Sequence, residues 1–117
     1  MKGRIGDKQR LLHIVDSISE IEQYISGASF EHFLQQSMMR FATIKQLEII
    51  GEAANYITEE TKARFTEIQW RQIIGLRHIL VHEYFGVDSN LVWQIIANDL
   101  PDLKQKVQEV LASLESQ

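Results

Sequence analysis

A chain of 117 residues, 44% hydrophobic and 24% charged, has material for a single domain spanning 1–117 and for a core that needs no covalent staples. The absence of cysteine excludes disulfides, thiolate nucleophiles and cysteine-ligated zinc, so any metal would have to sit on His, Asp or Glu. A formal net charge of -4 argues against broad phosphate neutralisation as a way of holding nucleic acid and leaves a local site, or a positive cleft between two subunits. No apolar run is long enough to cross a membrane, and the polar start from Met1 to Arg10 is unlike a secretion signal, so a cytoplasmic protein is expected.

Leu11, Ile14, Val15, Ile18, Ile21 and Ile25 recur at helical spacing and predict a helix from roughly Asp7 to Ser26. Asp16, Ser17, Ser19, Glu20, Glu22 and Gln23 fill its other face. Gly27 then accepts the left-handed conformation that ends a helix, and Ser29 caps the next one. From Phe30 to Ile57 the repeat of Phe30, Phe33, Leu34, Met38, Phe41, Ile44, Leu47, Ile50, Ala54 and Ile57 predicts one long helix. Gly51 interrupts good helix formers at a cost of ~1 kcal/mol relative to alanine, which close approach of a partner helix along Gly51, Ala53 and Ala54 would offset. Glu48 and Glu52 share a stripe with Lys45. Two carboxylates so spaced could do acid–base work, hold a metal, or simply form a solvated face, and Gly51 to Ala54 could line a groove near the stretch discussed next.

Thr58 caps a short helix from Glu59 to about Phe65. After a turn at Thr66 to Trp70, the residues Trp70, Ile73, Ile74, Leu76, Leu80 and Val81 form a buried helical face, with Trp70 in the core. Gly86 to Asn90 reads as a loop, with Asp88 or Ser89 starting a helix that turns Leu91, Val92, Ile95 and Ile96 inward. Pro101 either kinks the chain or sits in the first turn of a helix restarted with Asp99 as cap. Leu103, Val107, Val110, Leu111 and Leu114 complete a final helix. No segment alternates with period two, so the fold class is all-α, an up-and-down bundle of five or six helices.

Chemistry concentrates between Gly75 and Gly86, in Arg77-His78-Ile-Leu-Val-His82-Glu83-Tyr84. Histidine, with an ordinary pKa of ~6.5, takes and gives protons near neutrality, while arginine offers a fixed cationic fork that fits phosphate oxygens. Together they suffice for metal-free RNA cleavage: a base for the 2'-hydroxyl and a cation for the charge on phosphorus. Tyrosine adds a phenol that can bond a phosphate, stack on a base or accept a transferred group. Arg77 and His82 are five residues apart, about 140 degrees around an ideal helix. They converge if the arginine reaches round, or if the helix ends near Val81 and the backbone turns His82 back. His78 and His82 share a face and could bind zinc, but Ile79 stands where a zinc protease motif needs glutamate. A plain structural role is open too, with His82 and Tyr84 satisfying a helix end and Arg77 paired with Glu83 or another acid.

The motif, with Arg, four residues, His, one residue and Tyr, resembles the signature of the HEPN superfamily in its HepT-like toxin branch. Leu11 to Val15, Gln46 to Ala53, Trp70, Tyr84 to Asp88, Trp93 and Leu100 to Leu103 are similar to that branch as well, so the likeness covers nearly the whole chain. The resemblance implies a homodimeric helical bundle whose two motifs share one cleft, and a toxin that is a metal-independent RNase with no cofactor. It implies Arg77 and His82 as the catalytic pair, with His78 in a position where the family accepts a polar residue. It further implies a toxin–antitoxin pair in which a minimal nucleotidyltransferase antitoxin, MntA-like, adds AMP to Tyr84 and so blocks the RNA phosphate. Two copies of Arg77, with Arg71 and Lys45, would concentrate positive potential in the cleft. The alternative is a non-catalytic binding module, a substrate or scaffold of the nucleotidyltransferase.

Overall fold

A computed structural model describes the backbone of residues 2–82 and 88–115, and side chains within 6–78 and 88–115. The elements are α1 (Lys2–Tyr24), α2 (Phe30–Gln35), α3 (Ser37–Asn55), α4 (Glu59–Arg64), α5 (Trp70–His82), α6 (Ser89–Gln94), a π-helical turn (Ile95–Asp99) and α7 (Leu100–Glu115). Among the described residues there is no strand, and the fold is the expected all-α bundle. α3 packs on both α1 and α5, and α7 closes against α1.

The apolar stripe read on α1 is the one that is buried: Leu11, Ile14, Ile18 and Ile21 meet Leu47, Ile50 and Ala54 of α3 and Val107 and Val110 of α7 in one core. Full burial of such a side chain is worth about 1.5–3 kcal/mol. Two residues of α1 depart from the sequence expectation. Ser17, assigned to the polar face, is only 5% exposed, and Asp7 is 1% exposed. Asp7 is buried because it finishes a helix cap: its carboxylate accepts from the Thr58 backbone N–H at 3.0 Å, from the Thr58 hydroxyl at 2.6 Å and from the Thr61 hydroxyl. Thr58 itself caps α4 by accepting from the Thr61 N–H, as expected. Three donors around one carboxylate replace the water it loses.

Gly27, with φ +75, ends the first helical segment and Ser29 caps α2 by accepting from the His32 N–H, both as expected. The single long helix does not form. Gln36 is extended (φ -106, ψ 92) and splits the run into α2 and α3. Arg40 supports the break: its Nη1 donates to the carbonyl of Leu34 and, at 3.4 Å, to that of Phe33, which also accepts from the Gln36 N–H. The cost of the break is met by Phe33, fully buried, which with Phe30 packs against Trp93 at ring separations of 5.2 and 6.0 Å. The two segments therefore present different faces to the core, and Leu34, Met38 and Phe41, expected inside, stand outside.

At the other end Asp88 caps α6, accepting from the N–H groups of Asn90 and Leu91. Val92 and Ile96 turn inward as expected, whereas Leu91 is 42% exposed. The chain neither stops at Asp99 nor restarts: Gln94, Ile95 and Leu100 all hold right-handed helical angles. A π-helical turn lies immediately before Pro101, at Ile95–Asp99. Proline has no N–H for the carbonyl four residues back, and the wider turn relieves its clash with that carbonyl while the helical path continues.

Candidate active site

The site is built on α5. Its first turn is pinned by Trp70, 8% exposed, whose indole N–H donates to the Phe65 carbonyl at 3.0 Å, and Ile73 and Leu76 bury the side facing α3. The close approach expected at Gly51 is present. A Cβ there would lie 2.9 Å from the Arg77 backbone nitrogen, 3.1 Å from the Ile73 carbonyl oxygen and 3.3 Å from the Arg77 Cβ. Only glycine lets α3 seat against α5 at this point, so the contact fixes the Arg77 backbone itself. Its ~1 kcal/mol propensity cost is thus spent on registering a functional side chain.

From that anchor the Arg77 guanidinium reaches Glu52, with Nη1 to Oε1 at 3.3 Å. The two side chains are 28% and 52% exposed, so the pair adds little to stability, about 0.2–1 kcal/mol, but sets the direction of the fork. The Arg77 Nε is buried and has no hydrogen-bond partner among the described residues. Glu52 is thus the acid that pairs with Arg77, one of the options the sequence left open, and the segment Gly51 to Ala54 lies beside the Arg/His stretch as expected.

α5 remains helical through His82. Nothing in its run breaks it; there is no proline, and a Cβ on Gly75 would meet open space. Where the helix ends beyond His82, and so the option of a turn that brings His82 back, lies outside the described residues. Arg77 and His82 stand about 140 degrees apart around the axis and about 7.5 Å along it. His78 is exposed and lies next to Arg77 on α5, one helical turn before His82. The side chains of Leu80, Val81 and His82 lie outside the described residues, as do Glu83, Tyr84 and Gly86 entirely. Among the described residues, no three of His, Asp and Glu come together to hold a metal ion. Lys45 and Arg71 are both exposed, on α3 and α5 respectively.

Glu52 and Ala53 also line a groove of about 450 Å³ between α1 and α3, in keeping with the groove expected along Gly51 to Ala54; its other wall, Gly6, Gln9, Arg10 and His13, left no signal in the sequence because it comes from a distant segment of the chain. On the same outer face of α3, Met38 is 85% exposed, Phe41 67%, Ile49 36% and Tyr56 58%, with exposed Lys45 and Glu52 between them. These positions recur at helical spacing, so α3 carries a solvent-facing stripe with Met38 and Phe41 at one end and Ile49, Glu52 and Tyr56 at the other.

A family model described as Ribonuclease HepT-like matches residues 14–110. Over 103 residues the chain is 39% identical to a Thermococcus cleftensis protein named probable ribonuclease HepT, covering 88% of this chain and 94% of that one. A protein of Methanocaldococcus jannaschii named as a putative RNase is 37% identical over 103 residues, with the same 88% and 94% coverage. A Caldanaerobacter subterraneus protein, also named as a putative RNase, is 35% identical over 101 residues, 86% of this chain and 90% of its own. No solved structure matches the chain. With the match running from α1 into α7 across the whole Arg/His stretch, the chain belongs to the HepT-like ribonuclease family of the HEPN superfamily.

Proposed function

We propose that this protein is a metal-independent ribonuclease in which His82 and Arg77 carry the chemistry. The observation that carries the proposal is the fixing of Arg77, by the Gly51 contact from behind and by the Glu52 carboxylate in front. An arginine held this way is a preorganised cation, and preorganised charge is what a phosphoryl transition state needs. His82 removes the proton of the RNA 2'-hydroxyl, whose oxygen attacks phosphorus. The bond to the 5'-oxygen breaks, leaving a 2',3'-cyclic phosphate and, once that oxygen is protonated, a 5'-hydroxyl. Arg77 neutralises the charge on the non-bridging oxygens. His78, exposed beside Arg77, is the candidate second proton carrier.

The working unit in this proposal is a homodimer. The apolar start of the α3 stripe, Met38 and Phe41 with Leu34 from α2, supports it, because exposed apolar side chains on one face are costly unless covered. A twofold contact there buries the same patch on both copies and brings two Arg77 side chains toward one cleft. That concentrates positive charge in a protein of net charge -4.

Regulation is the last part of the proposal, and the likeness to the HepT-like branch supports it. As the toxin of a toxin–antitoxin pair, the protein is silenced when a nucleotidyltransferase joins the Tyr84 phenol to the α-phosphorus of ATP and pyrophosphate departs. The added phosphate sits two residues from His82 and repels RNA. The test compares wild type with His82→Ala and Arg77→Ala for cleavage of single-stranded RNA in chelator, with product ends identified. Each variant is expected to lose at least a hundredfold in rate, and wild type to leave cyclic phosphate ends. Unchanged cleavage and growth arrest by His82→Ala would leave the binding-module alternative standing. Intact mass after co-expression with the nucleotidyltransferase tests Tyr84.

A further inference from the structure

We infer that the groove between α1 and α3 holds a base of the single-stranded RNA next to the cleaved phosphate, stacked against Tyr56 and Arg10. The inference rests on the ribonuclease reading above and extends it to how the strand is placed. Tyr56 closes the C-terminal end of α3 and is 58% exposed, an unusual position for an aromatic ring that no core contact requires. Over that ring lies the Arg10 guanidinium, its carbon 5.3 Å from the ring centroid. Gly6 makes room for it: a Cβ there would come within 2.7 Å of Arg10 Nη1. Among the described residues Arg10 has no acidic partner.

An aromatic ring carrying an arginine is a stacking platform with a cationic edge. Bases stack on either planar group whatever their identity, and the N–H edge takes a backbone phosphate. Gln9 and His13 line the same groove and supply hydrogen-bonding groups for a base edge. The groove's volume of about 450 Å³ falls in the range of small-molecule sites. Among the described residues Glu52 is the only acid lining it, and its carboxylate is already paired with Arg77. Glu52 links the groove to the arginine, and in this inference a base seated on Tyr56 carries its flanking phosphate past Glu52 toward Arg77. Charge points the same way, since Arg10 and Arg77 outnumber the one carboxylate in a chain that is acidic as a whole. The occupant is RNA rather than a second copy because Arg10, Gln9 and His13 edge this groove beside the Glu52–Arg77 pair, whereas the Met38 and Phe41 end of the stripe carries large exposed apolar side chains.

The experiment measures binding of a short fluorescent single-stranded RNA to the full chain by anisotropy, in a His82→Ala background so that the strand survives. Tyr56→Ala weakens binding by roughly ten- to a hundredfold, the loss that removing a stacking aromatic causes. Tyr56→Phe keeps the ring and restores affinity, and Arg10→Gln weakens it. With His82 intact, Tyr56→Ala raises KM far more than it lowers kcat. Thermal melts and sedimentation accompany each variant. Unchanged RNA affinity in a folded Tyr56→Ala protein overturns the inference, and so does a shift of that variant from dimer to monomer, which would make the groove part of the contact between copies. Should wild type bind RNA through Tyr56 yet cleave nothing, the ribonuclease reading fails and the groove stands as an RNA site. Should wild type cleave and Tyr56→Ala match it in KM and affinity, the groove alone fails.

Discussion

Replacing Gly51 by alanine puts the α3–α5 contact to a test in which two effects of known sign compete. Helix propensity alone favours the substitution by ~1 kcal/mol, because Gly51 lies inside a 19-residue helix. The structure opposes it: the new Cβ would sit 2.9 Å from the Arg77 nitrogen and 3.1 Å from the Ile73 carbonyl oxygen. Both are backbone atoms of a packed helix, which cannot swing aside as a side-chain tip could. Overpacking of this kind costs ~1–3 kcal/mol, and with backbone on the far side the upper part of that range applies. The net expectation is a loss of about 1–2 kcal/mol, or roughly 4–10 °C in Tm for a chain of this size. Gly75→Ala is the internal control, since a Cβ there meets nothing within 4 Å. It gains the propensity without the clash and raises stability by about 0.5–1 kcal/mol. Urea denaturation of both variants decides the matter. If Gly51→Ala is as stabilising as Gly75→Ala, the helices are not held at contact distance by Gly51 and the account of how Arg77 is positioned is wrong.

Other substitutions probe separate parts of the structure. Asp7→Ala strands the Thr58 and Thr61 hydroxyls and the Thr58 N–H in a buried setting, and is expected to cost about 3 kcal/mol in urea melts. A loss below 0.5 kcal/mol would mean that this cap is not supported across the bundle. Glu52→Gln removes the ion pair with Arg77 and changes stability by less than ~1 kcal/mol, since both groups are partly exposed. RNA cleavage is nonetheless expected to fall ten- to a hundredfold, because a misdirected cation loses most of its value. Cleavage unaffected by Glu52→Gln would show that Arg77 needs no such guide. Phe41→Glu places a charge on a residue that is 67% exposed and leaves the protomer folded. By sedimentation it is expected to convert the proposed dimer to monomers, and a dimer as stable as wild type would move the contact elsewhere.

The parts of the fold that were legible in the sequence are those governed by local rules. The α1 stripe, the Ser29 and Thr58 caps, the left-handed Gly27 and the core role of Trp70 each depend on neighbours within about one helical turn, and each is as expected. The failures have a common cause in longer-range competition. The repeat from Phe30 to Ile57 was compatible with one helix, but the run breaks at Gln36, where Phe33 gains its packing on Trp93 and Arg40 supports the break by donating to the carbonyls of Leu34 and Phe33. That one extended residue puts Met38 and Phe41 outside, which no periodicity count could register. Asp7 looked like an ordinary polar helix start because its partners lie more than 50 residues away. At the site, Gly51 announced a close approach of a partner helix near the Arg/His stretch, but that Gly51 meets the Arg77 backbone and Glu52 its guanidinium came only with α5 in place.

α3 does three jobs with three faces, and their arrangement explains how an acidic protein of this size can handle a polyanion. One face, with Leu47, Ile50 and Ala54, belongs to the core. A second, at Gly51, is stripped to backbone so that α5 is drawn in and Arg77 is delivered to a fixed point. The third faces solvent, and on it Glu52 does double duty, because its carboxylate pairs with Arg77 while also lining the α1–α3 groove. In the proposed mechanism a phosphate approaching Arg77 displaces or shares that carboxylate. The ion pair therefore acts as a place-holder: it keeps the fork aimed when the site is empty, at little energetic cost because the pair is exposed. It yields to a ligand that offers the same planar, doubly accepting geometry with more charge. Such a device needs no basic surface. It needs one arginine whose backbone cannot move, and the missing side chain at Gly51 secures that.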